Sequence, residues 1–173
     1  MMKVQKIALL GVLTAATIVI AVLESFIPSV GIPGVKLGLA NIMILVTLYE
    51  LGILEAVFVN LARVFLASLI RGTIFTMGFY MSLVGAFLSL GIMILFYLLI
   101  KKFSIIGVSV IGAIFHVFGQ IIVAMIFLST AYILYYLPVI AISAVITGVF
   151  VGIVAMLIIK TNVIKKMRER YNF

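Results

Sequence analysis

The sequence predicts an all-α integral membrane protein, a bundle of six transmembrane helices with both termini in the cytoplasm. Three observations carry that expectation. Hydrophobic residues make up 67% of the chain and charged residues only 9%, whereas an ordinary soluble domain is roughly 25% charged, so there is too little charge to coat a soluble globule. Apolar runs of membrane-span length recur along the chain. The basic residues gather at the ends of those runs, where they act as topology determinants and not as a nucleic-acid-binding patch, despite a net charge of +8.

No polar, Pro-rich or Ser-rich linker divides the 173 residues, so residues 1–173 are expected to form a single transmembrane domain. The 14 glycines and the absence of Trp suit closely packed membrane helices, in which small residues let backbones approach. Cysteine is absent. Disulfides, thiolate metal sites and Cys nucleophiles are therefore excluded.

Helix 1 is expected in the 17 uncharged residues between Lys6 and Glu24, long enough to span if the flanking side chains snorkel. Lys3 and Lys6 before an apolar stretch also resemble a signal peptide, but the chain continues as membrane protein. Pro28, Gly31, Pro33 and Gly34 break any helix and mark a loop. From Leu37 to Ile70 the chain suits two short antiparallel helices, 2 and 3, with a turn at Tyr49 to Gly52. Arg71 and Gly72 close helix 3. Helix 4 occupies most of Gly72 to Ile100 and stops at Lys101 and Lys102. From Phe103 to Ile159 the 57 residues are too many for one span and enough for two. The break between helices 5 and 6 falls near Ser129 to Leu137, with Pro138 in the first turn of helix 6, where its missing N–H does no harm.

With the N-terminus inside, Lys3, Lys6, Lys101, Lys102, Lys160, Lys165, Lys166, Arg168 and Arg170 are cytoplasmic. Only Lys36 and Arg71 fall outside, with Arg63 within the membrane, and this asymmetry sets the orientation by the positive-inside rule. The expected location is the plasma membrane, with several passes.

Four segments carry a family resemblance: PGVKLGLANI at 33–42, NLAR at 60–63, GVSVIGAIFHVFGQ at 107–120, and YLP at 136–138 with Thr147 and Gly148. Over nearly its whole length the chain resembles the family called heptaprenyl diphosphate synthase component I, also called the Gx transporter family. That family resembles the S components of energy-coupling-factor transporters, six-helix proteins that capture vitamins or similar micronutrients. Those work with a membrane coupling subunit and two ATPases. The resemblance thus implies either a transport subunit or an enzyme subunit.

A prenyl diphosphate synthase typically uses Asp-rich motifs to hold Mg²⁺, a hard dication that wants carboxylate oxygens. This chain has no Asp, and Glu24, Glu50, Glu55 and Glu169 are widely separated. It cannot supply that site alone. No phosphate-cradling G-x-x-x-x-G-K-[ST] loop is present, so any ATP-driven step falls to partners. One His with no Asp and no Cys leaves no hydrolytic triad and no dedicated zinc site. No catalytic residue, metal ligand or cofactor is expected.

Polar residues inside apolar helices are costly there and are functional candidates. Asn60 and Arg63 share a face of helix 3, and His116 and Gln120 share a face of helix 5. At 1.5 Å per residue, Arg63 and His116 fall at about the same depth. Gln120, Asn41, Lys36 and Arg71 lie toward the outer side of that level. These seven residues are the expected substrate-binding set. Three basic groups against Glu24 favour an anionic ligand. The structural alternatives are that Arg63 pairs with Glu24, that His116 and Gln120 are interhelical glue, and that Lys36 and Arg71 are interfacial anchors. Tyr132, Tyr135 and Tyr136 suit an aromatic belt.

On helix 1, Ala8, Gly11 and Ala15 form a smooth groove. In S components a similar small-xxx-small signature is where the coupling subunit docks, so the resemblance implies docking there; packing inside the bundle is the alternative. The expected function is therefore a substrate-binding, S-component-like subunit for a small anionic micronutrient or cofactor precursor. Its partners would be the lipid bilayer, that solute, a coupling subunit and two ATPases, with no nucleic acid. The second reading is a non-catalytic accessory subunit of heptaprenyl diphosphate synthase, and the third a membrane scaffold.

Overall fold

The computed structural model of the chain describes residues 2–26, 36, 38–100 and 103–171. The Pro- and Gly-rich loop after helix 1 and the Lys101–Lys102 pair lie largely or wholly outside the described residues. Among the described residues seven α-helices follow one another: α1 (Met2–Glu24), α2 (Asn41–Glu50), α3 (Ile53–Ile70), α4 (Met77–Leu99), α5 (Ile105–Leu128), α6 (Leu137–Lys160) and α7 (Val163–Tyr171). A short 3-10 turn, Tyr132–Tyr136, leads into α6.

Local chemistry sets the boundaries. Gly52 takes φ +122, a conformation that L side chains rarely adopt, and so permits the sharp reversal between α2 and α3. Ser104 caps α5, its Oγ accepting the Gly107 N–H at 3.0 Å. Pro138 stands in the first turn of α6 as expected. Helices α1, α3, α4, α5 and α6 are long and apolar enough to cross a membrane.

Helix α2 is not. The sequence predicts a short helix here but counts it among six transmembrane helices, and its ten residues rise only about 15 Å, roughly half of a hydrocarbon core. Two glycines at positive φ bound it, Gly38 at +84 before it and Gly52 at +122 after it. In exchange, α2 is buried almost all round: Asn41, Ile42, Ile44, Leu45, Val46, Thr47 and Leu48 are all inaccessible. It is a central half-length helix packed against α1, α3 and α6.

Around it α1 packs on α3, α3 on α4, α4 on α5 and α5 on α6. The two most extensive seams are built on glycine. A Cβ at Gly85 of α4 would lie 2.7 Å from the His116 carbonyl oxygen, and one at Gly119 of α5 2.8 Å from the Gly85 Cα. On the other side of α5, a Cβ at Gly148 or Gly152 of α6 would lie 2.7 Å from the Cα of Val110 or Ile106. Backbones in direct contact replace the water-driven core of a soluble protein.

At one end of the bundle Leu9 and Leu13 of α1 join Ile164 of α7 in the apolar core, with Tyr97 and Phe103 beside them. Lys6 of α1 pairs there with Glu55 of α3. The opposite end holds the α1–α2 connection, the α3–α4 turn and the 3-10 turn before α6.

Gly85→Ala should lower the stability of the detergent-solubilised protein by about 1–3 kcal/mol, because the methyl meets backbone that cannot yield. Gly91→Ala, on the same helix with no atom within 4 Å of its would-be Cβ, should be neutral or stabilising. Thermal unfolding of the two variants checks this, and equal losses would remove the close seam from the explanation.

Candidate functional site

Toward the end opposite α7, four elements and a connection close on a small polar cavity. Its walls are Ala21 and Glu24 of α1, Lys36 of the α1–α2 connection, Arg63, Val64 and Ala67 of α3 with Arg71 just beyond, Ser82 of α4 and His116 of α5. The volume is about 20 Å³, room for about one water. Arg63 and His116 are 5% and 3% exposed, so both polar heads are removed from bulk solvent.

Each group is held by something identifiable. Arg63 donates from Nη2 to the Asn60 Oδ1 at 2.9 Å, and Asn60 in turn donates to the Ala86 carbonyl of α4 at 3.1 Å. The shared face of Asn60 and Arg63 is therefore a positioning pair, with Arg63 in the wall and Asn60 behind it. Arg71 donates from Nε to the Ala67 carbonyl at 3.0 Å. His116 fits between glycines: a Cβ at Gly38 would lie 3.5 Å from its Cδ2, and one at Gly85 3.2 Å from its Cε1. The Glu24 carboxylate accepts the Gly38 N–H.

Lys36 is no interfacial anchor. Its Nζ donates to the Ser82 Oγ at 2.6 Å, and its backbone is gripped at both polar atoms by one side chain. The Lys36 N–H donates to the Gln120 Oε1 at 2.9 Å, while the Gln120 Nε2 donates to the Lys36 carbonyl at 3.4 Å. Gln120, fully buried at 0% exposure, serves the connection as a neighbouring strand would.

Four of the seven expected site residues, Lys36, Arg63, Arg71 and His116, thus line one cavity. Asn60 and Gln120 position two of them. Asn41 lies a step away, its Nδ2 3.3 Å from the Ser89 Oγ. Glu24 and Ser82 are wall residues that the expected set omitted. A signal existed for both, since each is a polar side chain set in or beside an apolar run. Arg63 and Glu24 form no direct ion pair; they face the same space.

Two buried atoms in this wall have no hydrogen-bond partner, the Arg63 Nε and the His116 Nδ1. The Arg63 Nε always bears a hydrogen, and a buried N–H without an acceptor costs about 1–3 kcal/mol, so the cavity carries unspent donor capacity at Arg63. Burial lowers the Lys36 ammonium from its ordinary 10.5 to about 7, with nearby Arg71 acting in the same direction and Glu24 against it. The cluster is crowded with positive charge.

The small residues of α1 have a clear placement. Ala8, Gly11 and Ala15 are all exposed, and nothing lies within 4 Å of a Cβ built on Gly11. They face out of the bundle, and Ala8 also borders a groove between α1 and α7. Tyr132, Tyr135 and Tyr136 are exposed at the opposite end.

Fold and site together define a multi-pass plasma-membrane protein with a cationic, largely enclosed cavity among its helices. More narrowly, the chain belongs to the family described as heptaprenyl diphosphate synthase component I, whose sequence profile matches residues 13–158. No curated protein and no solved structure matches the chain.

A pH dependence follows from Lys36. Because its folded-state pKa is depressed to about 7, the cavity carries the ammonium below that pH and loses it above. An anion favours the charged form. Sulfate, which does not titrate between pH 6 and 8.5, should bind more weakly as the pH rises across that range, and Lys36→Gln should flatten the slope. Titration of the purified protein by calorimetry measures both; a slope unchanged by Lys36→Gln would assign the effect elsewhere.

Proposed function

We propose that this chain is the solute-capturing membrane subunit of an energy-coupling-factor-type transporter, taking a small anionic micronutrient or cofactor precursor into the cavity around Arg63. The observation that carries the reading is that cavity: three cations face one carboxylate, the Arg63 Nε–H has no acceptor, and the His116 Nδ1 has no partner. A guanidinium so placed in a purely structural role would have its hydrogen bonds completed by protein. As seen, the space admits only a water-sized group, so a solute must move the Lys36 side chain from Ser82.

In this reading the end bearing α7 faces the cytoplasm, since Lys6, Lys160, Lys165 and Lys166 gather there while Lys36 and Arg71 border the cavity at the other. The half-length α2 is the sixth membrane-inserted helix, and the cavity opens outward. Energy comes from partners, a coupling subunit and two ATPases, and the chain itself is non-catalytic. The exposed strip of Ala8, Gly11 and Ala15 is the docking face for the coupling subunit, because a smooth strip lets a partner helix approach closely.

The family name supports a second reading, an accessory membrane subunit that assists a prenyl diphosphate synthase. There the same cavity would hold an anionic substrate or product group for a separate enzyme chain. Native mass spectrometry of the gently purified protein separates the two by the mass of what travels with it.

The docking face supplies the sharper test. Placing Leu at both Gly11 and Ala15 adds bulk to an open helix face and touches no cavity residue. The double variant should fold and bind sulfate like the parent, yet cease to co-purify with a coupling subunit and cease to support solute uptake. Loss of the fold or of sulfate binding would return this strip to the bundle's own packing.

A further inference from the structure

We propose that the group this cavity takes is a dianion of phosphate-monoester type, and that a monoanion is a poor occupant; the inference rests on reading the cavity as a ligand site. The charges that face it can be taken element by element. Helix α1 contributes Glu24, the connection Lys36, and α3 and its end Arg63 and Arg71. From α4 comes the neutral Ser82, and from α5 His116, an imidazole whose Nδ1 has no partner. Three cations against one anion leave an excess of two positive charges.

Arg63 is buried and Lys36 and Arg71 are half-buried, so solvent disperses the excess only in part, and its cost falls most when the occupant cancels it. A monoanion leaves one charge uncompensated. A dianion closes the balance. The acceptor count points the same way: a phosphate monoester offers three terminal oxygens, enough for the free Arg63 N–H, the Arg71 guanidinium and the Lys36 ammonium, whereas a monocarboxylate offers two. Glu24 is already engaged by the Gly38 N–H, which holds it as the fixed counter-charge.

The lowered pKa of Lys36 agrees with this balance. Burial first, and the neighbouring Arg71 and Arg63 after it, lead the cavity as it stands to release that proton near neutral pH. A dianion reverses the release and trades the Lys36 contact with a neutral hydroxyl, Ser82, for a charged one.

The test uses the purified full chain in detergent micelles and two isosteric probes, methyl phosphate and methyl sulfate. At about pH 7.5 the first is mostly a dianion and the second a monoanion. Methyl phosphate should bind about tenfold or more tighter. Arg71→Gln, which removes one positive charge at the edge of the cavity, should bring the two affinities together, and Arg71→Lys should restore the preference. If Arg71→Gln does not fold, the wild-type ratio with Arg71→Lys decides the matter.

Decyl phosphate separates the possible sources of the group. Tighter binding than methyl phosphate assigns a membrane-borne ligand, and equal binding a water-borne one; both keep the charge rule. Methyl sulfate binding as tightly as methyl phosphate overturns the dianion inference and leaves the ligand site standing. Neither probe binding at tens of millimolar overturns both.

Discussion

Arg63 carries its charge where bulk water scarcely reaches, and much of the structure around it answers that requirement. Arg63 is 5% exposed, and among the described residues Asn60 alone accepts from its guanidinium. Asn60 is fixed in turn by a carbonyl of α4, so the charge ties α3 to α4. Glu24 balances it from α1 across the cavity while holding Gly38. The bundle therefore converges on one charged centre from several helices, and Lys36 faces it from the α1–α2 connection.

That convergence demands backbones close enough to leave no large void. Glycine supplies it: Gly85 and Gly119 let α4 and α5 touch beside His116, and Gly148 and Gly152 bring α6 against α5. The same Gly85 makes room for the imidazole. Packing and site are consequently coupled, since a bulkier residue at Gly85 disturbs the helix seam and the cavity wall together.

Much of the fold was legible in the sequence because its signals are strong and local. The turn at Tyr49–Gly52, the break before Pro138 and the five long apolar helices are where run length, Gly and Pro place them. Helix-face spacing also paired Asn60 with Arg63 correctly, as a contact three residues apart. What local spacing could not show was the division of labour. Gln120 shares a face with His116, which suggested a ligand contact, but its amide is consumed by the backbone of Lys36, 84 residues away. That α2 is short was expected; that it is too short to cross was not, because the positive φ of Gly38 and Gly52 at its two ends is a backbone state that residue type alone does not fix. Ser82 entered the wall through a tertiary contact with Lys36.

Whether the charged centre is kept for a ligand or for the bundle is decided most directly by Arg63→Met, which conserves bulk and removes the charge. A buried charge replaced by a well-packed apolar side chain costs little stability or adds some when the charge was not there for the fold. The protein is expected to retain or raise its unfolding temperature in detergent while its affinity for methyl phosphate falls by about tenfold or more. A collapse of stability with anion binding unchanged would contradict the account and make Arg63 a structural pin.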